Sequence, residues 1–294
     1  MKSNNDEESE KIRAPSTKIY QNASPMDIEK EVVPNKKTGA STTGSDKYHW
    51  TPPGQTVLSN SIITKKTLFF IRHGIARHNI ASHANQGFDP TDEYFFDSPL
   101  NWKGQKQAEL TGDKIRKYIS NVESNALDLV VVSPLTRCLQ TATAAFPQRS
   151  SDQSTSPPLI FCHDGLREAY GIHTADRRRT RSELKEKWPM VHFDQNMTEK
   201  DEAWRSDKRE TVDDVSRRAV AFFQWLAHRP ETNIAIVSHG IWIECCLRHH
   251  CPSSLSGGRR VYNCDVFKGE FYHDETETTR KLQNTMLLTS GCIF

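Results

Sequence analysis

The stretch Leu68–Asn79, LFFIRHGIARHN, joins a continuous apolar run to a short polar motif. Four apolar residues in succession are typical of a strand buried on both faces, as in a parallel sheet. The run stops at Arg72, His73 and Gly74, which places these residues at the carboxyl end of the predicted strand. Because the glycine leaves the backbone open and the arginine carries a fixed cation, this strand end is suited to binding an anion.

Two further apolar runs end in a similar way. Residues 127–132 lead into the sequence SPLTR, in which Arg137 lies about one helical turn into the following segment. Residues 234–237 lead into SHG, which contains His239. In an open parallel sheet the ligand site lies outside the carboxyl ends of the strands. The sequence therefore predicts that Arg137 and His239 lie close to His73.

Helical patterns separate these runs, over residues 101–119 and 211–228. The second pattern begins with Thr211 and Asp214 in the spacing of a capping box. Strands that alternate with helices predict an α/β fold with a parallel sheet.

The composition changes along the chain and suggests three segments. Residues 1–60 are rich in Lys, Glu, Asn, Ser, Thr and Pro and have no sustained apolar period, so we expect a disordered extension. Residues 61–272 contain all the motifs above and are expected to form one catalytic domain. Residues 273–294 are again polar, which predicts a weakly structured tail.

Net charge, apolar stretches and cysteine content indicate the environment of the protein. Lys and Arg number 39 against 37 Asp and Glu, and the resulting net charge of +2 favours neither nucleic acid nor an anionic membrane. No stretch approaches the roughly twenty apolar residues of a membrane span, and the first residues are polar, so we expect a soluble, cytoplasmic protein. The seven cysteines lack a CxxC pair and are expected to be reduced.

The convergence of two histidines and two arginines indicates phosphate chemistry. Arginines would repel a metal cation, and no carboxylate-rich ligand set accompanies them, so we expect neither a metal nor another cofactor. A phosphate dianion accepts paired guanidinium hydrogen bonds, while a neutral imidazole can attack the phosphorus. The clustered cations should lower the pKa of His73 and keep it unprotonated near neutral pH.

These motifs resemble those of the histidine phosphatase superfamily, which is characterised by an RHG motif. LFFIRHG, SPLTRCLQTA and AIVSHG match the family pattern in order, and the resemblance extends from about Thr67 to Phe267. It implies a phosphoglycerate mutase-like α/β fold, a three-layer sandwich whose mostly parallel central sheet is flanked by helices. It also implies a small phosphorylated substrate and a phosphohistidine intermediate.

The resemblance assigns a role to each matching residue. His73 would be phosphorylated, and Glu168 would protonate the leaving group. The residues implied to hold the phosphate are Arg72, Arg137 and His239. The remaining residues that we expect to bind substrate are Gly74, Asn79, Arg177 and Arg178.

Two other carboxylates compete with Glu168 for the role of general acid. Glu168 follows the apolar run 159–161 and precedes a turn at Gly171, which favours a position just beyond a strand end. Asp164 precedes a glycine and can simply form the turn. Glu244 lies about one and a half turns into a helix, where it would more often face away from the site.

The basic run Arg177–Arg179 has two interpretations: it is either a solvated basic face or a clamp for a second anionic group of the substrate. The leading functional hypothesis is a phosphatase that hydrolyses a phosphomonoester. The alternatives are a phosphoglycerate mutase-type isomerase and a noncatalytic phospho-ligand-binding relative. The corresponding motifs of dedicated mutases resemble RHGES and HGNS, whereas this chain has RHGIA and HGIW at these positions. The arginine run keeps the mutase hypothesis open.

Overall fold

The computed structural model describes six segments of the chain: residues 63–84, 87–122, 126–148, 156–250, 259–274 and 280–291. The predicted disordered extension, residues 1–60, lies outside the described residues.

Seven strands of the described residues form a single sheet. They are β1 (Ile63–Arg72), β2 (Leu129–Val132), β3 (Leu159–Cys162), β4 (His192–Phe193), β5 (Asn233–Ser238), β6 (Val266–Asp274) and β7 (Arg280–Thr289). The α-helices are α1 (Arg77–Ala84), α2 (Trp102–Val122), α3 (Thr136–Ala145), α4 (Arg181–Lys187), α5 (Val212–Ala227) and α6 (Gly240–His250).

The spatial order of the strands is β4-β3-β2-β5-β1-β6-β7. The pairs β3–β4, β2–β3, β2–β5 and β1–β5 are parallel, whereas β6 pairs antiparallel with both β1 and β7. The carboxyl ends of β1, β2 and β5 thus meet at one edge, with Arg72 paired to Ser238 and Val132 to Val237. This arrangement confirms the predicted α/β fold.

Alternate residues of β1 bury against two separate hydrophobic clusters. Leu68 and Phe70 belong to the cluster on the side of α5 and α6, which includes Trp242. Phe69 and Ile71 belong to the cluster on the side of α2 and α3. A strand has period two, so a fully apolar run can supply both faces of a sheet. The sheet is therefore the middle of three layers, as predicted.

The prediction of a weakly structured tail is wrong for residues 280–289. These residues form β7, which pairs with β6 along the sheet edge. Leu282 is buried, and the Asp265 carboxylate accepts hydrogen bonds from Ser290 and Gly291 just after the strand. Most other side chains of β7 are partly or fully exposed, which is why its sequence is polar. Backbone pairing stabilises such a strand without a clear apolar pattern.

No helix in the described ranges is long and apolar enough to cross a membrane. The five cysteines within these ranges are buried and unpaired, while Cys251 and Cys292 lie outside them.

Candidate active site

A cavity of about 130 Å³ opens at the carboxyl edge of the sheet. Five of the nine predicted site residues line it, namely Arg72, His73, Asn79, Arg137 and Glu168. The cavity is also lined by His78, Phe88, Pro90, His173, Ala175, Asp176 and Arg209.

His73 follows β1 and is held in a single neutral tautomer. Its Nδ1 lies 2.7 Å from the carbonyl oxygen of Gly74, which can only accept, so Nδ1 carries the proton. Its Nε2 lies 3.3 Å from the Nε–H of Arg137 and accepts from it. Burial, and then the charges of Arg137 and Arg72, hold the pKa of His73 well below its ordinary value. The predicted direction is confirmed, although burial contributes more than the cations.

Arg137, in the first turn of α3, connects several groups of the site. Its Nη2 donates to Asp176 Oδ1 at 2.7 Å and lies 3.1 Å from His239 Nδ1. Its Nη1 donates to the carbonyl oxygen of Ala175 at 2.5 Å. The side chain is only 1% exposed, so its orientation is fixed by these partners. One guanidinium is thus directed at His73 Nε2, where the phosphorus would bind.

His239 lies at the carboxyl end of β5, as predicted, and its ring centroid is 5.1 Å from that of His73. Because Arg137 donates to its Nδ1, Nε2 carries the proton and donates to Ser133 Oγ at 2.8 Å. Burial, followed by the charge of Arg137, holds the pKa of His239 well below its ordinary value. His239 is fully buried and contacts the site through Arg137.

Arg72 lines the cavity and has one donor without a partner in the described ranges. Its Nη1 donates to the carbonyl oxygen of Val261 at 2.7 Å. Its Nε is buried and has no hydrogen-bond partner among the residues that the structure describes. Because an unpaired buried donor is costly, a guanidinium left in this state is suited to an incoming anion.

Gly74 differs from its predicted role, because it does not line the cavity. Its amide donates to Thr141 Oγ1 at 3.0 Å. A Cβ atom at this position would lie 2.4 Å from the carbonyl oxygen of Gly104, so the loop and α2 approach too closely for a side chain. Gly74 therefore permits the packing that orients its neighbour His73.

Glu168 is the one of the three proposed acids that lines the cavity. Its carboxylate accepts hydrogen bonds from the amides of Ala169 at 3.0 Å and Ile241 at 3.4 Å. Burial, and then the neighbouring charge of Asp176, raise the pKa of Glu168. A carboxyl group with a raised pKa can hold a proton for a leaving group.

The two competing carboxylates are engaged elsewhere. Asp164 Oδ1 lies 3.3 Å from Arg178 Nε, and Glu244 accepts from the amide of Val261 at 3.1 Å. Neither carboxylate lines the cavity, so their positions leave Glu168 as the better candidate.

The arginines 177 and 178 are not part of the cavity wall, which corrects the prediction that they bind substrate. Arg178 is 3% exposed and donates to the carbonyl oxygens of Thr198, Glu199 and Lys200. These hydrogen bonds hold the loop 198–200 in place. Arg177 stacks on Phe96 and pairs with Glu93. The spacing of basic residues cannot distinguish these roles, because buried carbonyl partners leave no trace in the sequence.

Sequence reasoning missed Asp176 and Arg209, which adjoin the site. Asp176 is buried between two guanidiniums, 2.7 Å from Arg137 and 3.2 Å from Arg209. Burial alone would raise the pKa of Asp176, but the charges of Arg137 and Arg209 outweigh it and lower this pKa. The one local signal for Asp176 in the sequence is its position immediately before the basic run.

Comparisons with known proteins identify the family of this chain. A phosphoglycerate mutase-like protein from Arabidopsis thaliana is 29% identical over 247 residues, which cover 73% of this chain and 89% of the relative. Phosphoglycerate mutase-like protein 1 from the same organism is 31% identical over 196 residues, covering 59% of this chain and 68% of the relative. Among solved structures, the alpha-ribazole phosphatase from Shigella flexneri is 19% identical with a TM-score of 0.45, covering 76% of this chain and 96% of its own. The model of the histidine phosphatase superfamily, branch 1, matches residues 68–284. The chain therefore belongs to the histidine phosphatase superfamily, as the RHG resemblance implied.

Proposed function

We propose that the protein is a phosphatase that hydrolyses a small phosphomonoester through a phosphohistidine on His73. One observation carries this proposal: the proton of His73 is held on Nδ1 by Gly74, so the lone pair of Nε2 faces the arginine-lined cavity. The cavity of about 130 Å³ is small beside the roughly 300–1,000 Å³ of sites for drug-sized ligands, which supports a compact substrate.

In the first step, His73 Nε2 attacks phosphorus, an N–P bond forms and the bond from phosphorus to the ester oxygen breaks. Arg137 Nε, which contacts Nε2 in the resting site, and the unpartnered Arg72 Nε would bind phosphoryl oxygens. Glu168 gives its proton to the departing alkoxide, which leaves as an alcohol.

In the second step, the now ionised Glu168 takes a proton from water as the water oxygen attacks phosphorus. The N–P bond breaks, its electron pair returns to His73 Nε2, and inorganic phosphate is released. Gly74 holds the Nδ1 proton throughout, so the imidazole returns to its starting tautomer.

The mutase alternative is less well supported, because an isomerase must clamp the second anionic group of its substrate. Arg177 and Arg178, the residues proposed for this clamp from the sequence, are engaged with Glu93 and with loop carbonyls. Arg209 lines the cavity but shares the carboxylate of Asp176 with Arg137. The noncatalytic alternative is disfavoured because nucleophile, cations and acid are all present at one cavity.

The test is a panel of phosphomonoesters that includes 3-phosphoglycerate with a bisphosphoglycerate primer, scored separately for free phosphate and for isomerised product. We expect free phosphate and no primer-dependent isomerisation. Isomerised product in excess of free phosphate would establish the mutase instead, and binding of phosphate without turnover of any ester would establish the noncatalytic relative.

A further inference from the structure

His78, near the start of α1, lines the cavity but has no part in the mechanism described above. Its ring centroid is 6.2 Å from that of His73, which lines the same cavity. Its backbone amide donates to Ser98 Oγ at 3.1 Å, which anchors this turn of the helix.

The tautomer of His78 follows from the hydrogen bonds of Asn79. The Asn79 Oδ1 accepts from the backbone amide of Ala76 at 3.0 Å and from Asn263 Nδ2 at 3.4 Å, so the orientation of this amide is fixed. Its Nδ2 therefore donates to His78 Nε2 at 3.0 Å. Because Nε2 is the acceptor, the proton of the neutral imidazole is on Nδ1.

This Nδ1 is buried and has no hydrogen-bond partner within the described segments. A buried donor without an acceptor is uncommon in folded proteins and calls for an explanation. Burial, and then the charge of Arg137, hold the pKa of His78 at about 3. The imidazole is therefore a neutral donor at every pH at which the enzyme would be assayed.

We propose that His78 is a substrate-binding residue whose Nδ1–H donates a hydrogen bond to an oxygen of the phosphoryl group bound at His73. This inference rests on the proposed function, because it requires phosphate in this cavity. The phosphoryl group is favoured over the leaving group because His78 lies beside His73, which would carry the phosphorus, and lines the same cavity as Arg137 and Arg72. A neutral donor adds a directed hydrogen bond without adding charge.

Two substitutions separate donation to phosphate from a structural role. In His78→Asn, the side-chain amide nitrogen can take the position of the imidazole Nδ1, so the donor is kept and the acceptor for Asn79 is lost. In His78→Gln, the amide reaches the position of Nε2, so a partner for Asn79 is kept and the Nδ1 donor is lost. His78→Leu removes both groups at similar volume.

The readout is the inhibition constant of inorganic phosphate, with KM and kcat for an aryl phosphate and for an alkyl phosphate. We expect phosphate to bind roughly 10- to 100-fold more weakly to His78→Gln and His78→Leu, as for loss of a hydrogen bond to a charged group, and nearly normally to His78→Asn. The loss of phosphate affinity should be similar in experiments with both esters.

Normal phosphate binding by His78→Gln with weak binding by His78→Asn would overturn the proposal, and His78 would then have the structural role of supporting Asn79. A loss confined to the alkyl ester would place the donor on the leaving group and would also overturn it.

A measurement on the unaltered protein tests the proposal even if the variants do not fold. With ¹⁵N-labelled histidine, the Nδ1 resonance of His78 should be that of a protonated nitrogen and should shift when inorganic phosphate is added. An unprotonated Nδ1, or a resonance unchanged at saturating phosphate, would overturn the inference. Failure of the unaltered protein to bind phosphate at all would instead refute the proposed function.

Discussion

At the scale of single residues, the cavity holds two carboxylates whose surroundings move their pKa values in opposite directions. The pKa of Glu168 is raised by burial and by Asp176, whereas that of Asp176 is lowered by Arg137 and Arg209 in spite of its burial. Such a separation assigns distinct roles to two acids in one site. Asp176 remains an anion that orients Arg137, and under the proposed function Glu168 would carry the catalytic proton.

This assignment predicts different behaviour of two variants in a labelling experiment. His73→Ala should form no phosphoenzyme, because the attacking nitrogen is absent. Glu168→Gln should still be labelled by an aryl phosphate, whose leaving group departs without a proton, but it should turn over slowly because water is no longer activated. Rapid quench with labelled substrate and analysis under alkaline conditions, which preserve phosphohistidine, measures both. Label on His73→Ala would refute the choice of nucleophile, and wild-type turnover of alkyl phosphates by Glu168→Gln would refute the choice of acid.

The pH dependence provides a second prediction at this scale. A general acid must be protonated, so kcat/KM for an alkyl phosphate should fall as the pH rises through the raised pKa of Glu168. Asp176→Asn removes the neighbouring negative charge and leaves Arg137 and Arg209 uncompensated, and both changes favour ionisation of Glu168. The falling limb should therefore move to lower pH in this variant, with Asp207→Asn, at an exposed carboxylate outside the cavity, as a control. An unmoved limb would show that Glu168 does not produce it.

At the scale of elements, α5 begins with the capping box that the sequence predicted. Thr211 Oγ1 accepts from the amide of Asp214 at 3.2 Å, and the Asp214 carboxylate accepts from the amide of Thr211 at 2.9 Å. Thr211→Ala should lower the free energy of unfolding by about 1 kcal/mol, whereas Thr211→Ser should keep the cap. Chemical denaturation measures both, and kcat should not change because Thr211 does not line the cavity. Equal stability of the two variants would mean that the cap contributes nothing.

The strand β7 supplies a test of whether the end of the chain belongs to the domain. Leu282 is 4% exposed and packs in the core, whereas Met286 of the same strand is 54% exposed. Leu282→Ala should lower the free energy of unfolding by roughly 2–4 kcal/mol, as for other buried leucines, and Met286→Ala by less than about 0.5 kcal/mol. Similar small effects for both substitutions would restore the prediction of a weakly structured tail.

At the scale of the whole molecule, the positive charge of the cavity comes from separate parts of the chain. Arg72 ends β1, Arg137 lies in α3 and Arg209 precedes α5, and the sheet topology brings them together. These guanidiniums, rather than a metal ion, would neutralise the phosphate. We therefore expect a chelator to leave turnover of a simple phosphomonoester unchanged, measured as released phosphate. Activity that is lost with the chelator and restored by zinc or magnesium would contradict this mechanism.

The sequence by itself determined the parallel centre of the sheet and the centre of the site. Three buried apolar runs, each ended by a polar motif, required parallel strands whose carboxyl ends meet, and this placed His73, Arg137 and His239 together. Short-range patterns suffice here because burial on both faces of a strand leaves a continuous apolar signal. The capping box of α5 is likewise a local pattern, and the structure confirms its prediction from the sequence.

Only the tertiary structure decided which of the other polar residues face the cavity. Arg178 fastens a loop while Arg209 reaches the site, although both belong to basic stretches of the sequence. The strand β7 was missed because an edge strand is stabilised by backbone pairing and needs few buried side chains. The tautomer of His78 and the pairing of Asp176 depend on partners far away in the chain, such as Asn263 and Arg137. Long-range hydrogen bonds and ion pairs have no periodicity, so the sequence carries no pattern from which to predict them.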